Sequence, residues 1–345
     1  MIKINNKISF SYKKPPLIIA EISGNHNGNK KRFLSLIKSA CKNGADLIKI
    51  QTYEPSDITI NSKKSFFKIK SGLWKNKYLW NLYQKACTPY EWHRDAFKIA
   101  KRYNKIIFSS PFSKRGVDFL EKLKVPLYKV ASFEITDLKL IRYIAEKKKP
   151  IILSTGMASL NEINAALKLI KKYHKKVVIL HCVSGYPTFL EDTNLKRINE
   201  LKQKFKGFYL GVSDHTQGIA SSIASTSLGV VAIEKHFKLD EKLQTTDSKF
   251  SITPSKLSKL KNYTKKIHQS LFDGKISKSE KISKKLRRSI FAVQDIKKNE
   301  IFTEKNIDTF RPEIGISSSK FFDLLGKKSN KKIKKGMPIR HNYVG

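Results

Sequence analysis

Residues 17–51 read LIIAEISGNHNGNKKRFLSLIKSACKNGADLIKIQ and contain two short apolar runs, 17–22 and 47–51, on either side of a longer segment of helical period. This alternation is typical of a repeated strand–helix unit. Six further runs follow in the same alternation: 106–109, 127–131, 151–154, 177–182, 208–212 and 230–234. Eight such units predict an α/β fold in which parallel strands close into a (β/α)8 TIM barrel.

Two segments stand apart from the repeated units. Residues 52–78 form a long insertion after the second strand, which carries Trp74 and is a candidate lid. After a last barrel helix near 256–271, residues 272–287 become rich in Lys and Ser and are interpreted as a linker. We therefore expect a barrel domain over 1–271 and a small β-rich domain over 288–345. Two similar halves are expected there, because IKKNEI at 296–301 is echoed by IKKGMP at 333–338.

The starts of two predicted helices support this alternation of strands and helices. TPYE at 88–91 and SLNE at 159–162 both have the spacing of a capping box, in which a Ser or Thr and a Glu satisfy each other's backbone amides. Pro89 falls at the first helical position, where proline is favoured.

The chain has 345 residues and a formal net charge of +42 at pH 7, from 70 Lys and Arg against 28 Asp and Glu. A charge of this size suggests nucleic-acid binding. The lysines, however, are spread over almost every predicted helix and loop, without a basic tail or zinc-finger spacing. We interpret the charge as solvated surface that also attracts anionic substrates. A nucleic-acid-binding protein is kept as a distant alternative, and no nucleic-acid partner is expected.

The N-terminus and the cysteines predict the compartment. MIKINNKISF at 1–10 lacks a basic segment followed by an apolar run, and nowhere do about eighteen apolar residues follow one another. Cys41, Cys87 and Cys182 are odd in number, lie far apart and form no CxxC pair. We expect structural thiols in a soluble, cytoplasmic protein with no membrane partner.

Polar residues gather at the predicted carboxyl ends of the strands, where TIM barrels assemble their active sites. They are Glu21, Lys49, Gln51, Ser110, Lys129, Ser132, Glu134, Ser154, Ser184, Tyr186, Ser213, Asp214, His215, Glu234 and His236. Ammonium groups and hydroxyls at one mouth can cradle a phosphate and a carboxylate. Lys49 and Lys129 need anionic partners there, because burying an unpaired ammonium is costly. A purely structural ion-pair network is the alternative.

His215 and His236 end adjacent predicted strands, so their imidazoles can meet and bind one divalent ion. Two protein nitrogens would leave coordination positions open, which suits a Lewis acid that polarises a substrate oxygen. The alternative is that they are hydrogen-bonded core histidines.

Several strings resemble the sialic acid synthase family along nearly the whole chain. They are IIAEISGNHNG at 18–28, ADLIKIQTY at 45–53, FSSPFS at 108–113, YKVASFE at 128–134, STGMAS at 154–159, SDHT at 213–216 and IEKHF at 233–237. RSIFAVQDIKKNEI at 288–301 and FRPEIGIS at 310–317 resemble that family's antifreeze-like (SAF) domain. Within the family, LWKNKYLWNLYQKACTPYEWH at 73–93 and TTDSKFS at 245–251 are most similar to the pseudaminic acid synthase branch. The branches that make N-acetylneuraminate or legionaminic acid are the alternative.

The resemblance implies a role for each site residue. His215 and His236 would hold a divalent metal, commonly Mn²⁺, with Mg²⁺ or Co²⁺ as alternatives. Phosphoenolpyruvate would be held by Lys49, Ser110, Lys129, Ser132, Ser154, Ser184 and Ser213. The amino sugar would face Gln51, Glu134, Tyr186, Asp247 and Arg311. Position 184 departs from a common family pattern, because the local string is CVSGYP and Gly185 has no side chain.

The implied reaction joins phosphoenolpyruvate, 2,4-diacetamido-2,4,6-trideoxy-L-altrose and water to give pseudaminic acid and phosphate. A carbon–carbon bond forms, a carbon–oxygen bond breaks, and Glu21 or Glu234 takes the proton of the water. The implied assembly is a domain-swapped homodimer in which Arg311 of one copy reaches the site of the other. Lys49 and Lys129 also allow a Schiff-base aldolase as an alternative enzyme.

Overall fold

The structure, a computed structural model, describes residues 1–271 and 277–345. The first part begins with a short hairpin, β1 (Ile2–Lys3) and β2 (Ser9–Phe10). Eight barrel strands follow: β3 (Leu17–Glu21), β4 (Leu47–Thr52), β5 (Ile106–Pro111), β6 (Tyr128–Val130), β7 (Ile151–Ser154), β8 (Val177–Cys182), β9 (Tyr209–Asp214) and β10 (Ala232–His236). Neighbours pair in parallel, and β10 pairs with β3 to close the barrel. The predicted TIM barrel is confirmed, and each predicted run overlaps its strand.

The helices of residues 1–271 alternate with these strands. They are α1 (Lys30–Lys42), α2 (Leu79–Ala86), α3 (Tyr90–Arg102), α4 (Lys114–Lys122), α5 (Leu138–Ala145), α6 (Leu160–Lys171), α7 (Arg197–Lys204), α8 (Ala220–Ser227) and α9 (Pro254–Ser270). Helix α1 shows why they form: it buries Phe33, Leu36, Ile37, Ala40 and Cys41, which recur on one helical face.

One of the two predicted capping boxes is wrong. Ser159 and Glu162 form the expected reciprocal box at the start of α6. At the start of α3, however, Pro89 is the N-cap and no side chain caps the helix. The buried hydroxyl of Thr88 instead hydrogen-bonds Nε2 of His26, at 3.2 Å, so it is not available to a helix amide.

The amino-terminal end of the barrel is closed by the β1–β2 hairpin. Ile2 of β1 and Phe10 of β2 are buried against residues that point into the barrel, including Ile19, Leu47 and Phe108. This apolar plug leaves the opposite, carboxyl-terminal mouth as the end that is open to ligands.

The insertion after β4 contains two 310 turns, Pro55–Asp57 and Ser65–Phe67, and an antiparallel bridge between Lys68 and Tyr78. It leads directly into α2. No helix within residues 1–271 or 277–345 is long and apolar enough to cross a membrane.

The chain divides into two compact units, Met1–Phe272 and Asp273–Gly345. The second contains α10 (Lys278–Lys284), β11 (Ser289–Ala292), β12 (Ile307–Phe310) and α11 (Phe321–Leu324), with β11 and β12 antiparallel. Its echoed segments pair with each other, because Ile296 and Ile333 exchange two backbone hydrogen bonds of 2.8 and 2.9 Å. Of the predicted linker, 272–276 lie outside the described residues and 278–284 form α10.

Candidate active site

A cavity of about 520 Å³ lies at the carboxyl-terminal mouth of the barrel. Twelve of the sixteen predicted site residues line it: Lys49, Gln51, Lys129, Ser132, Glu134, Ser154, Tyr186, Ser213, His215, Glu234, His236 and Asp247. The strand ends therefore bring most of the predicted site together. The other four, Glu21, Ser110, Ser184 and Arg311, do not line the cavity.

Three of these four lie in the barrel unit. Glu21 is fully buried and contacts Lys49, and the buried Ser110 pairs with Gln51 across β4 and β5. Ser184 belongs to the loop after β8, in the wall next to Gly156. Arg311 belongs to the second unit, where its side chain is exposed.

Two buried lysines and two buried carboxylates form one charged network. Lys49 Nζ lies 2.7 Å from Glu21 Oε2 and 3.4 Å from Glu234 Oε1. Lys129 Nζ lies 3.6 Å from the same Glu234 oxygen. The carboxylates thus supply the anionic partners that the sequence required for both lysines. Lys129 is the less neutralised of the two, since its single carboxylate contact is long and shared.

The pKa values of these groups follow from burial and charge. Burial raises the pKa of Glu21 to about 7, with Lys49 opposing the shift and Glu234 adding to it. Burial acts to raise the pKa of Glu234 as well, but Lys129 and Lys49 outweigh it and hold that pKa below its ordinary value. Burial lowers the pKa of Lys129, and Glu234 only partly offsets this.

Serine hydroxyls lie at the carboxyl ends of other barrel strands. The hydroxyls of Ser110 and Ser154 are buried and, within the described residues, have no hydrogen-bond partner. Ser132 Oγ accepts from the backbone amide of Gly156 at 3.1 Å, and a Cβ at position 156 would collide with the hydroxyls of both Ser132 and Ser184. Buried polar atoms without partners are costly, so this floor is suited to an anion that accepts from the hydroxyls and the ammonium groups.

The two histidines predicted to bind a metal lie next to each other. The ring centroids of His215 and His236 lie 5.2 Å apart, and both rings line the cavity. His215 Nδ1 is 3.0 Å from the carbonyl oxygen of Val183, and donation of its proton there would leave Nε2 free to bind a metal. Burial is the largest cause that holds the pKa of His236 well below its ordinary value, and it favours the neutral ligand form.

The described residues contain no cluster of three or more His, Cys, Asp or Glu side chains that could hold a metal. A cation bound by the two imidazoles would therefore keep positions for substrate, as the sequence predicted. Imidazole nitrogens are common ligands of divalent transition-metal ions.

Four of the five residues predicted to face the sugar line the cavity: Gln51, Glu134, Tyr186 and Asp247. Gln51 Nε2 donates to Glu21 Oε1 at 3.2 Å and to Ser23 Oγ at 3.3 Å. The hydroxyl of Ser23 also donates to Asp247, whose Oδ2 lies 3.8 Å from His236 Nδ1. Ser23 was not among the predicted site residues, and its φ of +45° places it in the left-handed region. The network holds the loop after β10 against the loop after β3.

An aromatic wall closes over the histidines. The Tyr186 ring lies 4.5 Å from the His215 ring and 5.4 Å from the Trp74 ring, centroid to centroid. Trp74 Nε1 also donates to the carbonyl oxygen of Thr246 at 3.3 Å. The insertion predicted as a lid therefore contacts the loops after β8 and β10.

Cys182 was predicted to be a structural thiol, yet it lines the cavity. Its Sγ lies 3.8 Å from His215 Nδ1. Burial acts to raise the pKa of Cys182, but His215 outweighs it, so that pKa lies below its ordinary value.

Asp214 and Lys235 have side chains on the other face of their strands. They form a buried ion pair of 3.1 Å, and Lys235 also donates to the carbonyl oxygen of Thr216. The pair therefore fixes the loop that carries His215.

Comparisons with known proteins agree with this architecture. The model of the NeuB family matches residues 36–276, and that of the SAF domain matches residues 287–343. A Campylobacter jejuni protein named pseudaminic acid synthase is 43% identical over 335 residues, which are 96% of this chain and 97% of that protein. An N,N'-diacetyllegionaminic acid synthase of the same species is 39% identical over 334 residues, or 95% and 99% of the two chains.

A crystal structure of the N-acetylneuraminic acid synthetase of Leptospira borgpetersenii superposes with a TM-score of 0.74. It is 30% identical and covers 82% of this chain and 95% of its own. A parallel barrel with buried lysines, carboxylates and histidines at its mouth, joined to a SAF domain, defines a TIM-barrel enzyme of the synthase type. This chain belongs to the NeuB family.

Proposed function

We propose that the protein is a pseudaminic acid synthase, which condenses phosphoenolpyruvate with 2,4-diacetamido-2,4,6-trideoxy-L-altrose and water to give pseudaminic acid and phosphate. The observation that carries the proposal is the cavity floor, where two buried lysines and the Ser154 hydroxyl, which has no partner among the described residues, lie beside a histidine pair. The 43% identity to a protein of that name over nearly the full length supports the choice of product.

Lys49, Lys129 and the serines around them bind the phosphate and carboxylate of phosphoenolpyruvate. Lys129 is the stronger phosphate ligand, because its one carboxylate contact is 3.6 Å long, whereas Lys49 is 2.7 Å from Glu21. The hydroxyl of Ser154, which lines the cavity and has no other partner among the described residues, orients the same anion. Buried donors of this kind need little reorganisation during the reaction.

The chemistry has two bond-forming steps. The π electrons of the enol attack the acceptor aldehyde, form the carbon–carbon bond and leave positive charge on the pyruvyl carbon. Water then adds there and gives its proton to Glu234, which lines the cavity, whereas Glu21 does not. Phosphate finally leaves with the bridging oxygen as the added hydroxyl becomes the ketone carbonyl and gives its proton to the phosphate. The proton on Glu234 passes to the alkoxide formed from the aldehyde oxygen, and Lys49 and Lys129 stabilise the departing anion.

His215 and His236 would hold the divalent metal, which supplies Lewis-acid polarisation of the acceptor aldehyde oxygen when bound. The Val183 carbonyl orients the His215 ring through Nδ1. Tyr186 packs against that ring and, together with Trp74, excludes water from it.

The deciding experiment is an acceptor panel. Purified protein, phosphoenolpyruvate and Mn²⁺ are incubated with the diacetamido-trideoxy sugars of both stereochemical series and with N-acetylmannosamine, and phosphate release is measured. The altrose-configured acceptor should give the highest kcat/KM, and phosphoenolpyruvate with oxygen-18 in the bridging position should release labelled phosphate. Label that stays in the sugar would contradict carbon–oxygen cleavage.

A second candidate is the synthesis of legionaminic acid, because a legionaminic acid synthase is 39% identical, only slightly less than the 43% relative. Preferential turnover of the other diacetamido stereoisomer in the same panel would favour it. A Schiff-base aldolase is less consistent with the site, since two carboxylates outweigh burial and raise the pKa of Lys49. The aldolase would be favoured if borohydride with pyruvate inactivated the enzyme and a chelator left its activity unchanged. Nucleic-acid binding is supported by the charge alone.

The assembly and location belong to the same proposal. Arg311 lies in the second unit, so its predicted contact with the sugar would come from a second copy in a domain-swapped dimer. Mixing inactive Arg311→Ala chains with inactive His236→Ala chains should regenerate one intact site per mixed dimer. If mixing restores no activity, the shared site is ruled out. Cytoplasmic location stays a prediction from the sequence.

A further inference from the structure

The apolar side chains of the cavity come mostly from one stretch of chain, residues 53–86. They are Tyr53, Ile58, Ile69, Trp74, Leu79, Leu82, Tyr83 and Ala86, which belong to the insertion and to α2. The charged side chains of the cavity come instead from the strands and the turns after them. The cavity therefore has a charged floor and an apolar wall with separate origins in the sequence.

The wall belongs to the insertion and the helix that follow β4, whereas the charged floor is formed by the strand ends. In a TIM barrel the strand ends form the floor of the site and the loops that follow them rise above it. The insertion follows β4 and is tied over the cavity by Trp74, which contacts Tyr186 and the carbonyl of Thr246. Phosphoenolpyruvate bound to the floor lysines would meet the acceptor at its aldehyde carbon, C1, so C6 at the other end of the chain extends towards the wall.

We propose that four of these side chains, Ile58, Ile69, Leu79 and Leu82, bind the C6 end of the acceptor and select a 6-deoxy sugar over its 6-hydroxy counterpart. This inference rests on the proposed function and adds the residues that read the substrate. None of the four side chains has a hydrogen-bonding atom, so a C6 hydroxyl packed against them would lose its water without gaining a partner from them. A C6 methyl group would instead remove apolar surface from water.

The expected discrimination is moderate. A hydrophobic pocket rejects an analogue that carries one additional hydroxyl by about 100-fold. We therefore expect the wild type to use the 6-deoxy sugar with a kcat/KM about 100-fold above that of the 6-hydroxy sugar.

The test compares two diacetamido sugars that differ only at C6, on three proteins. Ile58→Asn places an amide in the wall, and Ile60→Asn is the matched control, because Ile60 lies in the same insertion but is 70% exposed. We expect Ile58→Asn to lower the preference to about 10-fold or less, with the KM for phosphoenolpyruvate unchanged. Ile60→Asn should keep the wild-type preference. Ile69→Asn is the second wall variant, should Ile58→Asn not fold.

Each other outcome overturns a distinct claim. Equal use of the two sugars by the wild type, or an undiminished preference in folded Ile58→Asn and Ile69→Asn, overturns the role of the wall while the synthase activity stands. If the wild type releases phosphate with neither sugar, nor with any acceptor of the panel, the proposed function itself fails.

Discussion

Ile19 and Glu21 lie two residues apart on β3, as do Leu47 and Lys49 on β4, so both members of each pair point into the barrel. The same step occurs on every barrel strand. The other six pairs are Phe108 and Ser110, Leu127 and Lys129, Ile152 and Ser154, Leu180 and Cys182, Gly211 and Ser213, and Ala232 and Glu234. The lower member belongs to the apolar layer around the hairpin plug and the upper member to the polar layer at the mouth.

The two layers contribute oppositely to folding. The lower layer buries apolar side chains, which stabilises the barrel in proportion to the surface removed from water. The upper layer buries two ammonium groups and two carboxylates, whose mutual attraction only partly offsets their lost hydration. A step of two residues along a strand thus separates residues that stabilise the fold from residues that are held in place by it.

Among the substitutions that test this difference, Lys49→Met in the upper layer has the largest expected effect. The change leaves Glu21 without its 2.7 Å partner and removes one of two cations from Glu234. We expect a loss of about 3–5 kcal/mol in unfolding free energy, as for other broken buried pairs, and a fall in kcat of about 10²–10³-fold. Urea unfolding followed by tryptophan fluorescence reports on the barrel alone, because Trp74, Trp80 and Trp92 all lie in that unit.

The double variant Glu21→Gln/Lys49→Met is the control for that experiment. Removing the charge of Glu21 should recover part of the lost stability and none of the lost activity. Wild-type kcat in Lys49→Met would contradict the assignment of Lys49 to the phosphoenolpyruvate cradle.

Phe10→Ala tests the lower layer. Phe10 is fully buried in the plug, so its truncation should lower the unfolding free energy by about 3–5 kcal/mol. The kcat of the folded protein should not change, since none of the residues in the core cluster of Phe10 lines the mouth cavity. Phe10→Leu, which keeps more of the volume, should cost less than Phe10→Ala. A parallel fall in kcat at a temperature where Phe10→Ala is folded would show that the two layers are not independent.

His236→Ala tests the upper layer through metal binding. Loss of outer-shell partners weakens metal sites by about 10–100-fold, so loss of a direct ligand should weaken Mn²⁺ binding by about 100-fold or more. Isothermal titration of Mn²⁺ into the wild type and the variant measures the change. His174→Ala is the control, because His174 follows α6 and does not line the cavity. Equal Mn²⁺ affinity in His236→Ala and the wild type would remove the histidine pair as the metal site.

The sequence predicted the strands and the upper layer because both follow a fixed spacing. Apolar runs separated by helical segments locate eight strands, and the polar residue that ends each run falls at the mouth. The hairpin of β1 and β2 was not predicted, because two strands of two residues each are too short to show a period. The Thr88 capping box was wrong because its hydroxyl has a tertiary partner, His26, far away in the sequence.

The apolar wall of the cavity could not be predicted for a different reason. Ile58 and Ile69 lie in an irregular insertion, where no helical or strand period indicates which side chains face inward. Ser23 was missed because a left-handed serine gives no sequence signal, although its hydroxyl links Gln51 and Asp247. Such positions are fixed by tertiary contacts alone.

The prediction with the smallest expected effect is a substitution at Glu134 that raises the unfolding free energy instead of lowering it. Burial raises the pKa of Glu134 from 4.5 to about 7, with Lys129 opposing the shift. Below pH 4.5 both the folded and the unfolded chain are protonated at this position. As the pH rises from 4.5 to 7 only the unfolded chain releases the proton, so the folded state loses relative stability, and above 7 the loss is complete.

Glu134→Gln removes this penalty, because the amide does not titrate. We expect the variant to exceed the wild type by about 1–3 kcal/mol in unfolding free energy at pH 8, and the difference to disappear towards pH 4. Urea unfolding of both proteins at several pH values between 4 and 8 measures it. Glu162→Gln provides a control of opposite sign, because hydrogen bonds from Ser159 lower the pKa of Glu162 and so stabilise the folded state at high pH. If the difference in unfolding free energy between Glu134→Gln and the wild type stays constant from pH 4 to 8, burial of Glu134 at the mouth carries no cost. The contrast between the two layers would then depend on the lysines and their carboxylates alone.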